Sequence, residues 1–452
     1  MVIKNGLVLT PDSENPQKLD LLIEDGKIID TGTGLDGGEV LDAKGLLILP
    51  GGIDAHVHFD TPGYTHREDF YHGSMAAIAG GITTVIDMPC TSVPPVVNKE
   101  NLLKKLENIQ GKSFVDFAFY GGVSLQAFEE GFPEFMEELA PYVCGFKTYF
   151  ISGMETFERL DPFRFEMVLK KAGELKRPVL LHAEDYEYVM GATEFAKNDK
   201  NYSAYYHSRP EMAEILAVQR ACKLAEGKDV QLNIVHVGTS EAVEIIRGYD
   251  NVTCETCPHY LEFTWEDLDR IGPPLKTTPP VKSPENRDRL WDYLNNGWIN
   301  HVASDHAPAP EEEKFTGSVW TDYSGIPGVQ TLFPYIYTYG YKKGRISLKR
   351  LVQVLSENPA KRFGLFSKKG SIEKGKDADL ILIDPEKEWV LKEDTFYSRG
   401  KITPFMGYRF TGEIKFVLLR GNIVYPFTKL HPTGEFITPS RLNPDRLLQN
   451  QH

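Results

Sequence analysis

An α/β fold is predicted, a TIM-type (β/α)8 barrel with a small β-sandwich domain built from both chain ends. Three observations predict it. From about residue 51 to 370, short apolar runs alternate with helix-like stretches, the pattern of parallel βα units. About eight such units over ~300 residues match a closed barrel. Both flanks, residues 1–50 and 371–426, instead carry short β-type segments broken by turn residues. A doubly wound open sheet is the alternative.

In the first flank, residues 2–9 contain Asn5-Gly6 and residues 21–29 contain Asp25-Gly26, each a hairpin signal. Residues 46–49 read as a strand that leads through Gly51-Gly52 into the next. Barrel strands are then expected at 84–88, 116–120, 145–150, 179–182, 232–236, 253–255 and 301–304. Helices are expected at 99–109, 134–139, 163–175, 211–226 and 240–247. Beyond Gly370, residues 379–384, 389–391, 412–420 and 422–425 have β-type composition. The domains expected are therefore a sandwich (1–50 plus 371–426), a barrel (51–370) and a C-terminal tail (427–452).

The 452 residues are 41% hydrophobic and 25% charged, as in soluble globular proteins. No apolar run approaches the ~18 residues of a membrane span, and the first residues start as a strand without a signal-peptide pattern. Five cysteines in so long a chain do not form a disulfide framework, so a cytoplasmic location is expected. A net charge of −14 disfavours nucleic acid and anionic membranes as partners.

Polar groups of useful chemistry recur where the barrel strands end, the face that carries the active site in such barrels. His56 and His58 close the run Gly51-Gly52-Ile53-Asp54-Ala55-His56-Val57-His58. Residues i and i+2 of a strand face the same way, so both imidazoles reach one point, and a metal ion is the usual reason. Lys147 lies in an apolar and aromatic strand. His182, His236 and Asp305 each end a strand. Singly, each has a structural alternative: a hydrogen-bonded histidine, a snorkelling lysine, a helix-capping aspartate. Four histidines, a lysine and an aspartate, all at strand ends, are not explained jointly in that way. His66, His72, His207, His301 and His431 read as surface or packing residues. Cys254 and Cys257 lack the second pair of a structural zinc site.

Further motifs extend over almost the whole chain: Gly80-Gly81-Ile82-Thr83-Thr84, Gly145-Phe146-Lys147, His182-Ala183-Glu184, Glu255-Thr256-Cys257-Pro258-His259-Tyr260-Leu261, Ser304-Asp305-His306, Asn358-Pro359-Ala360 and Asp377-Ala378-Asp379-Leu380. With these, the chain resembles the cyclic amidohydrolases of the amidohydrolase superfamily: dihydroorotase, hydantoinase/dihydropyrimidinase and allantoinase. The resemblance implies two divalent metal ions, one on His56, His58 and Asp305, the other on His182 and His236. Lys147, carboxylated by carbon dioxide, would bridge them. Carboxylation needs a neutral amine, and an apolar strand lowers a lysine pKa in that direction. Imidazole and carboxylate ligands suit zinc, with iron, cobalt or manganese as alternatives. The resemblance further implies hydrolysis of a cyclic amide by a metal-bridging hydroxide, with Asp305 as the catalytic residue that carries the proton to the leaving nitrogen. His259 and His306 would support the ligands from behind.

The substrate shell separates the members of this group. Dihydroorotase has an arginine at the position of Asp60 and a histidine at that of Ala309, so both carboxylate binders are missing, and an aspartate at 60 should repel a carboxylate. Hydantoinases have a tyrosine at the position of Ser152. The segments Met88-Pro89-Cys90-Thr91-Ser92-Val93-Pro94-Pro95, Ser304-Asp305-His306-Ala307-Pro308-Ala309-Pro310, Gly325-Ile326-Pro327-Gly328-Val329-Gln330 and Lys401-Ile402-Thr403-Pro404-Phe405 resemble those of allantoinases. Thr278 and Pro327 depart from that pattern. The resemblance thus implies a small cyclic ureide or amide as substrate, allantoin-like in preference to a hydantoin, dihydropyrimidine or dihydroorotate. It places Asp60, Ser92, Ser152, Thr278, Gly325 and Gln330 around the ring, and implies a homotetramer or homodimer. A non-catalytic scaffold paralogue is the competing class; such a chain would have lost ligands, and this one keeps the set.

Overall fold

A computed structural model describes residues 1–427 and 431–440. The first flank forms β1 (Val2–Val8), β2 (Gln17–Glu24), β3 (Lys27–Gly32), β4 (Val40–Asp42) and β5 (Leu47–Pro50). Asp25 and Gly26, both at positive φ, make the tight turn between β2 and β3. Asn5-Gly6 is not a turn. It is a bulge inside β1, where the register against β2 shifts between Ile3 and Gly6. A turn and a bulge ask the same of the backbone, a residue at positive φ, and Asn5 supplies it here. The bulge is held by Asp20, which accepts from the Asn5 N–H, and Gly6 leaves room for the Ile48 side chain, which a Cβ at position 6 would meet.

The apolar runs that follow become β6 (Gly52–Val57), β7 (Ile82–Asp87), β8 (Asp116–Phe119), β9 (Gly121–Gly122), β10 (Phe146–Tyr149), β11 (Val179–His182), β12 (Leu232–Ile234), β13 (Val252–Thr256) and β14 (His301–Val302). Neighbouring strands pair in parallel, and β8 and β9 are two parts of one barrel strand joined at Tyr120. Among the described residues the barrel therefore has eight strands. Val57 pairs with His306, and the Asp54 carboxylate accepts from the Ser304 N–H, so the first and last strands meet. Nearly every strand residue is buried, which is why these strands read as unbroken apolar runs. The helices pack outside. Asn98 caps Lys99–Ile109, and Asp161 caps Pro162–Glu174 with a proline at its first position.

The far flank forms β15 (Leu380–Val390), β16 (Arg409–Leu419) and β17 (Asn422–Tyr425). β15 pairs with β5, so both chain ends share one sheet in the order β17-β16-β15-β5-β1-β2-β3, with β4 beside β1. This sheet folds over Ile3, Val8, Leu21, Ile23, Ile48, Leu380, Leu382 and Leu418. Residues 379–384 and 389–391, expected as two strands, are one. The break in pattern at Pro385 is a register shift against β16, placed where a residue without an N–H does least harm. Residues 433–440 of the expected tail lie along the barrel: Gly434, Glu435 and Ile437 exchange backbone hydrogen bonds with Ser113 and Phe117. Residues 428–430 and 441–452 of that tail lie outside the described residues. No helix among the described residues is long and apolar enough to cross a membrane.

A buried ion network ties sheet to barrel at the N-terminal ends of the strands. The Lys369 ammonium donates to Asp116 and Asp379, each at 2.6 Å, and lies 3.0 Å from Asp377; Arg420 also donates to Asp116. Three carboxylates push the Lys369 pKa upward against burial. Replacing Lys369 by methionine leaves them facing one another out of water. The expected loss is about 3–5 kcal/mol of unfolding free energy, measured by denaturant titration; a loss below about 1 kcal/mol would mean that the acids are relieved in another way.

Candidate active site

The opposite, C-terminal strand ends carry the chemistry. His56 lies in β6 and His58 directly after it, Lys147 in β10, His182 at the end of β11, His236 just past β12 and Asp305 just past β14. The barrel brings all six together. Asp305 Oδ1 is 3.2 Å from His56 Nε2 and 3.4 Å from His58 Nε2. His182 Nδ1 is 3.0 Å from His236 Nε2. His236 and Asp305 both have left-handed backbone, at φ 42° and 51°. Such a conformation costs about 1–3 kcal/mol in a non-glycine residue and persists where the surroundings impose it, typically at functional sites.

Partners behind the ligands fix their orientation. Glu255 accepts from His56 Nδ1 at 2.5 Å and from His301 Nε2 at 3.0 Å. Burial opposes the Glu255 charge, yet His56 and His301 hold its carboxyl far below the usual range. An ionised Glu255 keeps the His56 proton on Nδ1 and leaves Nε2 as a free lone pair facing Asp305. Glu184 plays the same part for His182, accepting from Nε2 at 2.8 Å, and also pairs with Arg209. Burial lowers the pKa of His56, His182 and His236, keeping them neutral. Asp305 stays ionised, because His56 and His58 outweigh burial and bring it to about 2. The Lys147 amine is buried without a hydrogen-bond partner, 4.8 Å from the Tyr149 ring centre, and burial lowers its pKa to about 8.

The donor set fits a divalent cation. His56, His58 and Asp305 each offer an atom within 4.8 Å of the others. Two other groups are as tight, but each has its own counter-charge. Lys369 fills the Asp116–Asp377–Asp379 group. His306, Ser398 and Arg399 take up the carboxylates of Glu68 and Asp69. Around His56, His58 and Asp305, burial keeps His56 neutral, while Asp305 and Cys90 raise the His58 pKa to about 10 against burial. Among the described residues no lysine or arginine pairs with the Asp305 carboxylate.

Comparison with known proteins gives the family. The Amidohydrolase family description matches residues 47–424. The chain belongs to the amidohydrolase family. A protein named allantoinase from Rubrobacter xylanophilus is 38% identical over 99% of both chains, and one from Enterococcus faecalis is 34% identical over 94% of this chain and 95% of its own. Among solved structures, the L-hydantoinase (dihydropyrimidinase) from Arthrobacter aurescens aligns at a TM-score of 0.91 with 32% identity, covering 97% of this chain and 99% of that one. The resemblance read from the sequence, a cyclic amidohydrolase nearest to allantoinase, and the expected barrel with its flanking sandwich are both borne out.

The histidine and aspartate cluster of this amidohydrolase opens into a cavity of about 510 Å3, the size of a small-molecule site. Ser152, Thr278 and Gly325 line it; Thr278 bonds the Tyr205 hydroxyl, and a side chain at 325 would strike the Ala307 carbonyl. Ser92, Gln330 and Asp60 are not among its lining residues. Ser92 Oγ accepts from buried Lys105 and donates to the Thr61 carbonyl. The Gln330 amide bridges the backbone of Thr395 and Tyr397. Asp60 is buried, and burial raises its pKa to about 8, so near pH 7 it repels a carboxylate far less than its charge in the sequence suggests. Unforeseen on the wall are Tyr64, Arg67, Tyr205, Arg209, Lys276 and Tyr323. One signal for Arg67 exists in the sequence: it sits on the loop after the His-x-His strand, and such loops line a barrel mouth. His301 is no surface residue; it is buried against Glu255. His306 closes the barrel and accepts on Nδ1 from the Gly328 and Val329 N–H groups.

Glu255→Gln offers one acceptor oxygen to two histidines and no charge. It is expected to weaken divalent-metal affinity about 10–100-fold, read by competition with a chromogenic chelator. An unchanged affinity would mean that His56 is oriented without Glu255.

Proposed function

We propose that this amidohydrolase opens the ring of allantoin to give allantoate. The observation that carries the reading is the gathering of His56, His58, His182, His236 and Asp305 around one cavity in a chain similar over nearly its whole length to proteins named allantoinase. His56, His58 and Asp305 would hold one divalent ion and His182 and His236 a second, with Lys147, carboxylated on Nζ, serving both. Zinc suits these donors; iron, cobalt or manganese are the alternatives. When bound, the ions supply Lewis-acid polarisation of the ring carbonyl and water acidic enough to act as a nucleophile near neutral pH. The orphaned, burial-lowered Lys147 amine supports carboxylation, since only the free base reacts with carbon dioxide.

The residues of the chain do the rest. Asp305, ionised and facing the cavity, accepts the proton of the attacking water and passes it to the ring nitrogen as the C–N bond breaks. Glu255 and Glu184 keep His56 and His182 in the tautomers that leave a lone pair toward the cluster. The assembly that accompanies this reading is a homotetramer or homodimer. Hydrolysis of a hydantoin lacking the ureido arm is the second reading, supported by the likeness to L-hydantoinase.

Protein reconstituted with zinc or cobalt is expected to turn over allantoin, followed by the appearance of allantoate. Absence of turnover with metal bound would redirect the search to hydantoins, dihydropyrimidines and dihydroorotate. Lys147→Ala is expected to lose activity, and added short carboxylic acids to restore part of it by standing in for the carboxylated side chain. Full activity in the unrescued variant would rule out Lys147 as a ligand.

A further inference from the structure

Arg67 is held as if to present one edge of its guanidinium. Its Cζ lies 4.5 Å from the ring centre of Tyr64 and 4.6 Å from that of Tyr323, so both aromatic rings contact the cation. Its Nε donates to Glu313 at 2.6 Å, and the second oxygen of Glu313 bonds His66 at 2.6 Å. The clamp is braced in turn: the Glu313 carbonyl accepts from the Tyr323 N–H, and buried Lys314 donates to the carbonyls of Tyr323 and Gly325. Among the described residues the two Nη groups have no hydrogen-bond partner, and Arg67, Tyr64 and Tyr323 line the same cavity as the ligand cluster. The other cavity cations are committed, Arg209 to Glu184 and Lys276 to the Asp322 carbonyl.

We infer that the free Nη edge of Arg67 is a specificity determinant, donating to the carbonyl oxygen of a ureido arm carried by the ring. Allantoin is a hydantoin ring with such an arm, so this inference rests on the functional reading above and deepens it. A planar fork fixed by two rings and a carboxylate gives up little freedom when it binds a planar acceptor. Glu313 already neutralises the guanidinium, which favours a neutral carbonyl over the carboxylate that an unpaired arginine would attract. The assignment also accounts for Tyr64 and Tyr323, which have no part in the chemistry of the ring.

The test compares kcat/KM on allantoin and on unsubstituted hydantoin, which shares the ring and lacks the arm, for zinc-loaded wild type, Arg67→Met and Arg67→Lys. Removal of a charge-assisted donor should lower the allantoin-to-hydantoin ratio about ten- to a hundredfold in Arg67→Met. Arg67→Lys should lose most of the same ratio, because an ammonium cannot reproduce the fork, and it carries the test if the methionine variant does not fold. A ratio within about threefold of wild type in the folded variants overturns the assignment of Arg67 alone. Wild-type turnover of hydantoin with none of allantoin overturns the allantoin reading itself, and Arg67 with it.

Discussion

Glu255, a carboxylate in the wall of the barrel, accepts from His56 and His301 at once, and the orientation of the His56 ring depends on that pair of hydrogen bonds. Such a charge is tolerated out of water only when its acceptors are met. Two imidazole N–H groups and the Asn233 amide meet them here. The consequence runs outward. A fixed proton on His56 Nδ1 points the Nε2 lone pair at Asp305, whose own charge is kept by His56 and His58. Remove the carboxylate and the ring has no reason to prefer that tautomer.

The two ends of the barrel divide the work. At the N-terminal ends, acids meet lysine and arginine and the charges cancel, so that Asp116, Asp377 and Asp379 bind sheet to barrel through Lys369 and Arg420. At the C-terminal ends burial lowers the pKa of His56, His182 and His236, and the Lys147 amine is stripped of solvent and partner alike. The first arrangement needs nothing more; the second keeps lone pairs and an anion turned toward one point. The left-handed backbone at His236 and Asp305 lies at this second end, where the chain leaves its strand abruptly to turn a side chain inward.

Much of this was legible in the sequence, because strand ends are marked there by an apolar run followed by a polar residue. His56, His58, Lys147, His182, His236 and Asp305 all stand at such marks. What escaped shares another property: it is decided by residues remote in the chain. Asn5-Gly6 satisfies a turn and a bulge equally, and the bulge is held by Asp20, fifteen residues on, which accepts from the Asn5 N–H. Ser92 and Gln330 lie in motifs of the family but face Lys105 and the 395–397 backbone, not the cavity. His301, an ordinary strand residue by its pattern, acquires its role only when β13 places Glu255 beside it.

Asp60 shows how burial can change the meaning of a substitution. Read as a charge, an aspartate where dihydroorotase carries an arginine should expel a carboxylate by repulsion. In the fold it is shut away from the cavity, and burial favours its neutral form near pH 7. Discrimination against an acidic ring then rests on the cations that remain. Arg67 and Arg209 are each paired with a carboxylate, Glu313 and Glu184, and burial lowers the Lys276 pKa to about 8, so the wall offers a ring carboxylate little uncompensated positive charge. A neutral ring with several carbonyl and N–H groups suffers no such deficit, because hydrogen bonds of ordinary strength suffice to hold it. Pairing of the wall guanidinium groups with Glu184 and Glu313 thus suits the cavity to a neutral ring better than to an acidic one.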